Sequence, residues 1–288
     1  ILCIVFVYGQ HAAYAANMVQ VDPQNIKAEA WLIMDGDSGQ VLGESNAHAQ
    51  RAPASLTKMM VAYLTLQQIH AGKLRMDDLL TVPPDVEHVA SDETRMYLHP
   101  GELVKVSDLL SGLLVTSAND AAVTLSTHIA GNMDNFVGLM NQAASQLGMR
   151  ETHYVNVSGI TQQGHYTTAY DMAVLSRAIL RQYPEYTDFS RLQHFSYGSF
   201  SEPATNRALQ ADPTVDGMKT GYTQAAGYNI VISAKRPQPG LDQDRRIFVA
   251  VMGSTSSVER ARTAEVLLNA AYQQTSNVQL LKRNQPIA

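Results

Sequence analysis

A chain of 288 residues, 45% hydrophobic and 16% charged, carries enough apolar surface for one large domain or two modest ones and excludes intrinsic disorder. A net charge of −5 without a long basic run excludes a nucleic-acid surface. The single cysteine, Cys3, excludes a disulfide framework.

Residues 1–8 are apolar and are followed by the small-x-small sequence Ala13-Tyr14-Ala15. This predicts a secretory signal peptide over residues 1–15, entered part-way, whose cleavage would also remove Cys3. No later stretch is long enough for a transmembrane helix. Residues 28–34 and 40–44 predict two strands joined by the turn-rich Asp35-Gly36-Asp37-Ser38-Gly39. A helix is predicted to open near Ser55 and to close near Gly72, with a short strand or loop over 73–84 and a turn at Pro100-Gly101. Apolar periodicity predicts helices over 107–115, 120–130, 135–147 and 168–182, interrupted at 116–119 and at Gly131-Asn132. β-rich runs at 228–234 and 246–253 stand in hairpin order, and an amphipathic helix over 258–273 follows. Strands, then helices, then strands and a last helix predict an α+β fold. The two terminal β regions form one mainly antiparallel sheet flanked by helices, with a mainly helical subdomain inserted between them.

Three short motifs stand in order, each found once: Ser55-Leu56-Thr57-Lys58, Ser117-Ala118-Asn119 and Lys219-Thr220-Gly221. Ser55 and Lys58, three apart at a helix start, share a face. A serine hydroxyl is a weak nucleophile until a base takes its proton. A lysine amine can be that base if desolvation, neighbouring positive charge and the helix's positive end lower its pKa. Taken alone, the pair is more economically read as a helix cap beside a solvated lysine. The second motif, at a break between helices, and the third, leading into a β-hairpin, reverse that weighting.

This ordered set is shared by class A β-lactamases and penicillin-binding proteins. Residues 30–37, 113–121, 165–173 and 215–229 also resemble the D-alanyl-D-alanine carboxypeptidases, the low-molecular-mass penicillin-binding proteins that trim bacterial peptidoglycan. The likeness spans 24–275, the expected catalytic domain. It leaves 276–288 as a linker or the start of a further domain, and the resemblance leaves open peripheral membrane attachment through a C-terminal segment beyond it.

The resemblance implies roles. Ser55 attacks the penultimate D-Ala carbonyl of a peptidoglycan stem peptide, and Lys58 takes its proton. Ser117 relays a proton to the leaving amine, and Asn119 binds the peptide backbone and holds Lys58. Lys219 and Thr220 meet the substrate carboxylate, and Lys219 helps keep Lys58 neutral. Gly221 lets the strand approach, and the N–H groups of Ser55 and Tyr222 form the oxyanion hole. Arg260 falls where the family has a carboxylate-site arginine, an ordinary surface arginine being nearly as good a reading. β-Lactams are implied as covalent inhibitors, and the place of action as the periplasm or cell-wall space. No metal or cofactor is implied. A histidine often follows Lys-Thr-Gly in close relatives; here Tyr222 does.

The alternatives are a DD-endopeptidase of the same family, a β-lactamase, and an idle wall-binding protein. No deacylating glutamate is identifiable, Glu151 reading as a surface carboxylate. Asp77-Asp78 and Asp92-Glu93 read as solvated faces, and the nine histidines as isolated surface or loop residues.

Overall fold

The structure, a computed structural model, describes residues 18–278; the expected signal peptide and most of the expected linker lie outside the described residues. Strands β1 (Ala30–Asp35) and β2 (Val41–Ser45) form an antiparallel hairpin. Asp35 shapes its turn by accepting hydrogen bonds from the backbone N–H and the hydroxyl of Ser38. A 3₁₀ turn, Ala54–Thr57, runs into α1 (Lys58–His70). Ser55 therefore lies in the 3₁₀ turn, three residues ahead of the α-helix that the sequence predicts to begin near it. Short strands β3 (Leu79–Thr81) and β4 (Leu103–Lys105) pair, and α2 (Val106–Ser111) follows.

The chain then widens into a π turn, Gly112–Thr116, and stops at Ser117, whose φ of 69° ends any helix. Helices α3 (Asn119–Ala130), α4 (Met133–Leu147) and α5 (Ala169–Gln182) complete the helical block. Side chains of Asn132 and Thr168 cap the starts of α4 and α5 by accepting from backbone N–H groups three residues on. A short helix α6 (Tyr186–Ser190), the hairpin β5 (His194–Tyr197) and β6 (Phe200–Pro203), and α7 (Ala208–Ala211) lead to the long strands β7 (Val215–Thr223), β8 (Gly227–Arg236) and β9 (Arg245–Ser254). Helix α8 (Ser257–Gln274) closes the fold.

The five long strands make one antiparallel sheet in the order β2-β1-β9-β8-β7, so the first and last β regions join as the sequence predicts. Alternation along the central strands sends side chains to two cores. Leu32, Met34, Val231, Phe248 and Ala250 face the helical block. Trp31, Ile33, Ile230, Ile232, Val249 and Val251 face α8, through Ala264, Leu267, Leu268 and Ala271. Coverage on both faces explains why β1 and β9 read as nearly continuous apolar runs. Strand β7 lies at one edge, and the 3₁₀ turn that carries Ser55 sits against it. Hairpin β5–β6 has no counterpart in the sequence reading, because its second strand, Phe200-Ser201-Glu202-Pro203, is mostly exposed and polar.

Candidate active site

The 3₁₀ turn is held in an unfavourable shape by its neighbours. Ala54 adopts φ 50°, a left-handed conformation rare for alanine. Two glycines let other chains close on it. A Cβ on Gly159 would stand 1.9 Å from the Ala54 carbonyl oxygen, and one on Gly221 would stand 2.9 Å from the Ser55 nitrogen. Asn229, fully buried on β8, donates to the carbonyls of Ala52 and Pro53 at 3.0 and 3.1 Å and accepts from Gly253 N–H at 2.9 Å. It ties the turn to β8 and β9.

Thr57 donates to Ala54 O at 2.9 Å and meets His165 Nε2 at 2.8 Å. Because His165 Nδ1 accepts from Val155 N–H, the Nε2 carries the proton and donates to Thr57. Burial, with a smaller contribution from the neighbouring His153, lowers the His165 pKa to about 4, so the ring is a neutral structural strut. His165 lies in a loop, as expected of the histidines, but it is buried and bonded on both ring nitrogens instead of isolated.

Lys58 is wholly buried, its Nζ 3.0 Å from Ser55 Oγ and 2.8 Å from the Ser158 carbonyl. Its pKa is lowered to about 7 by burial; the carboxylates of Glu93 and Asp120 push the other way. Desolvation is thus the largest cause, and like-charge coupling also links Lys58 to Lys219, where it lowers the Lys219 pKa. Lys219 is also buried, donates to the Thr220 carbonyl at 2.9 Å, and is itself held well below its usual pKa by burial and then by the charges of Lys58 and Arg260.

Ser117 is 7% exposed and its Oγ has no hydrogen-bond partner among the described residues. Asn119 hydrogen-bonds the Glu93 carboxylate through Nδ2, and not Lys58 as expected. Glu93 therefore turns into the site instead of lying on a solvated face. Arg260 is likewise no surface arginine. It is buried, donates to Gly221 O at 3.0 Å, Asn229 O at 3.3 Å and Thr205 O at 3.3 Å, and lies over the Tyr228 ring. Thr220 and Thr205 share a hydroxyl hydrogen bond of 2.7 Å. The Tyr222 ring, 53% exposed, stacks on Tyr228 at 4.3 Å.

These parts enclose a cleft of about 400 Å³ lined by Ser55, Ser117, Asn119, Thr220, Gly221, Tyr222 and Arg260, with Glu93, Ser158 and Thr205 beside them. Lys58 and Lys219 stand behind its surface. All nine residues singled out in the sequence thus belong to one place. Glu151 does not: it pairs with His48 at 2.6 Å and is absent from the cleft lining. Glu93, Ser158, Gly159, Asn229 and His165 were missed, being drawn from separate segments with no local motif.

Such a cleft pairs a hydroxyl with a desolvated amine and has the charged Arg260 in its lining, which suits nucleophilic attack on a ligand that bears a carboxylate. The family model described as D-alanyl-D-alanine carboxypeptidase matches residues 16–256. The chain belongs to this family. It is 36% identical to D-alanyl-D-alanine carboxypeptidase DacD of Escherichia coli, across 98% of this chain and 73% of the relative. The crystal structure of penicillin binding protein 6B from Escherichia coli superposes with a TM-score of 0.84 at 38% identity, covering 90% of this chain and 81% of that one. Penicillin-binding protein D2 from Listeria monocytogenes, in its ampicillin-bound form, superposes with a TM-score of 0.75 at 28% identity, covering 86% and 98%. The family and the α+β fold agree with the sequence reading.

Proposed function

We propose that this chain is a serine D-Ala-D-Ala carboxypeptidase that removes the terminal D-Ala from peptidoglycan pentapeptide stems through an acyl-enzyme on Ser55. The observation that carries the reading is the buried Lys58 amine 3.0 Å from Ser55 Oγ, with its pKa near neutrality. At neutral pH a large fraction of Lys58 is unprotonated and takes the Ser55 proton as Oγ attacks the penultimate D-Ala carbonyl. The oxyanion that develops is met by the N–H groups of Ser55 and Tyr222, which Gly221 brings together by lacking a side chain.

Ser117 Oγ, buried and without a protein partner, is free to pass the proton to the departing amine. Asn119, with its amide orientation fixed by Glu93, presents its remaining donor and acceptor capacity to the peptide backbone. The substrate carboxylate lies against the hydroxyl of Thr220, the amine of Lys219 and the positive charge of Arg260, and the edge strand β7 offers its outer side to an extended peptide. Tyr222 contributes its backbone, its ring being a stacked rim residue. Water then attacks the acyl-enzyme.

On this reading β-lactams acylate Ser55 as substrate mimics, as the ampicillin-bound relative supports. The catalytic unit is residues 24–275, preceded by a signal peptide that directs it to the bacterial periplasm or wall.

The test is release of free D-Ala from a peptide ending in D-Ala-D-Ala by wild type and not by Ser55→Ala, alongside labelling with a fluorescent penicillin. Cleavage of a cross-linked muropeptide alone would make the protein an endopeptidase. Rapid penicillin turnover without D-Ala release would make it a lactamase. No labelling and no turnover would refute all three enzyme readings and leave a wall-binding protein.

A further inference from the structure

The oxyanion hole proposed above needs the Ser55 N–H to keep one direction. That N–H belongs to the peptide unit whose other end is the Ala54 carbonyl. A trans peptide is planar, with its C=O and N–H on opposite sides, so whatever fixes the carbonyl fixes the amide. This unit needs fixing. Ala54 holds φ 50°, a conformation that an L-residue leaves when its surroundings allow, and leaving it would swing the peptide plane. The Ser55 N–H has no hydrogen-bond acceptor among the described residues, so nothing there holds the unit from the amide side.

The carbonyl end is held by a chain of hydrogen bonds. Thr57 Oγ1 donates to Ala54 O at 2.9 Å, His165 Nε2 donates to Thr57 Oγ1 at 2.8 Å, and Val155 N–H donates to His165 Nδ1 at 3.0 Å. Thr57 and His165 are both buried, so water competes little for these bonds. Only one placement of the protons satisfies the whole chain. The single Thr57 hydroxyl proton goes to the carbonyl, so Thr57 must accept from the ring. The ring must carry its proton on Nε2, because Nδ1 accepts from Val155. Bonds that run head to tail in this way polarise one another. Gly159 closes over the same carbonyl, since any side chain there would collide with the Ala54 oxygen. Neither Thr57 nor His165 lines the catalytic cleft.

We propose that Thr57 and His165 are positioning residues for the oxyanion hole, holding the Ala54–Ser55 peptide so that the Ser55 N–H faces the oxygen on which charge develops. The inference rests on the serine carboxypeptidase reading and adds to it two residues that touch no substrate. Thr57 stands between Ser55 and Lys58 in the chain, so one short motif carries the nucleophile, its base and the residue that aims the hole. His165 acts through Thr57, one bond further away. Its loss costs less, because the Thr57 hydroxyl still reaches the carbonyl. The pair takes no part in moving the Ser55 proton, so Lys58 keeps its own titration.

The test reads penicillin acylation of Ser55 as a rate per titrated site, with kcat/KM for D-Ala release beside it. Thr57→Val keeps the shape of the side chain and removes the hydroxyl, whereas Thr57→Ser keeps the hydroxyl. Thr57→Val is expected to lower both rates by about 10- to 100-fold and to leave the midpoint of the pH–rate profile unmoved. Thr57→Ser is expected to recover most of the rate, and His165→Phe to lose about three- to tenfold. A peptide boronic acid, with boron in place of the scissile carbonyl carbon, gives a second reading. Its adduct with Ser55 puts an oxygen in the hole, so its Ki should rise in Thr57→Val by about the factor the rate loses. Circular dichroism and thermal unfolding check each fold. A Thr57→Val that acylates at the wild-type rate per site, that loses only titratable sites, or that binds the boronic acid as wild type does would overturn the inference and leave the carboxypeptidase intact. A Thr57→Ser as slow as Thr57→Val would do the same. If Thr57→Val does not fold, His165→Phe carries the test, and a wild-type rate and Ki there would overturn the inference equally. No D-Ala and no penicillin label with wild type would overturn the proposed function and this inference together.

Discussion

On the helical side of the cleft, Ala54 and Ser117 both hold positive φ, a π turn leads into Ser117, and Ser117 Oγ is buried without a hydrogen-bond partner among the described residues. On the sheet side, Thr220, Gly221 and Asn229 sit in a regular antiparallel ladder, where Thr220 is paired to Thr205 and Asn229 and Arg260 each make three hydrogen bonds. In the proposed mechanism the contrast follows a division of labour. Groups proposed to exchange a proton are left with spare hydrogen-bonding capacity in a conformation that only surrounding packing sustains. Groups proposed to recognise a fixed carboxylate and peptide are held by several hydrogen bonds. The two walls meet at the turn 52–57, which Asn229 ties to the sheet and His165 ties to the helical side.

Substitutions that attack each wall should break the contrast in different ways. The largest effect is expected from Lys58→Met, which keeps buried volume and removes the base. Acylation of Ser55 by penicillin should fall about 10²- to 10⁴-fold with the fold retained, read by stopped-flow labelling and circular dichroism. Asn229→Ala should instead lower stability, by about 2–4 kcal/mol, because Ala52 O, Pro53 O and Gly253 N lose their shared partner; chemical denaturation measures it.

His165 gives a pH signature of its own. Its pKa is about 4 in the folded chain, below its ordinary 6.5, so the unfolded chain binds more protons between those values. Stability should therefore fall as pH drops from about 6.5 to about 4, by at most about 3 kcal/mol from this group. In His165→Gln that slope should flatten, as urea midpoints across the range would reveal. Tyr222→Phe is expected to do least. The exposed ring offers stacking that phenylalanine keeps, so D-Ala release should stay within about twofold of wild type.

Much of the fold was legible because period-2 and period-3.6 patterns survive wherever an element buries one stripe. Helices α4, α5 and α8 follow from such patterns, and the joining of the first and last β regions in one sheet follows from the order of the elements. The site was legible where chemistry is written in short local motifs, as at Ser55-x-x-Lys58 and Lys219-Thr220-Gly221. It was illegible where the chemistry depends on what lies opposite. Glu93 looks like any acidic loop residue until α3 brings Asn119 to it, and Arg260 looks exposed on a helix until Gly221 and Thr205 offer it carbonyls. Gly159 bears no mark except the absence of a side chain, whose reason is an Ala54 carbonyl a hundred residues earlier in the chain. Asn229 was the one partial signal: an amide inside an apolar strand run must find buried partners.

The central claim is that a buried, unprotonated Lys58 activates Ser55. It is tested most directly by the pH dependence of the Ser55 acylation rate, measured with a labelled penicillin at subsaturating concentration from pH 5 to pH 9. Because Lys58 must lose its proton to act, and burial lowers its pKa to about 7, the rate should be low in acid, rise with a midpoint near 7 and reach a plateau above it. The rise should be absent from the residual rate of Lys58→Met. A rate that stays flat across this range, or a midpoint that persists unchanged in Lys58→Met, would contradict the account.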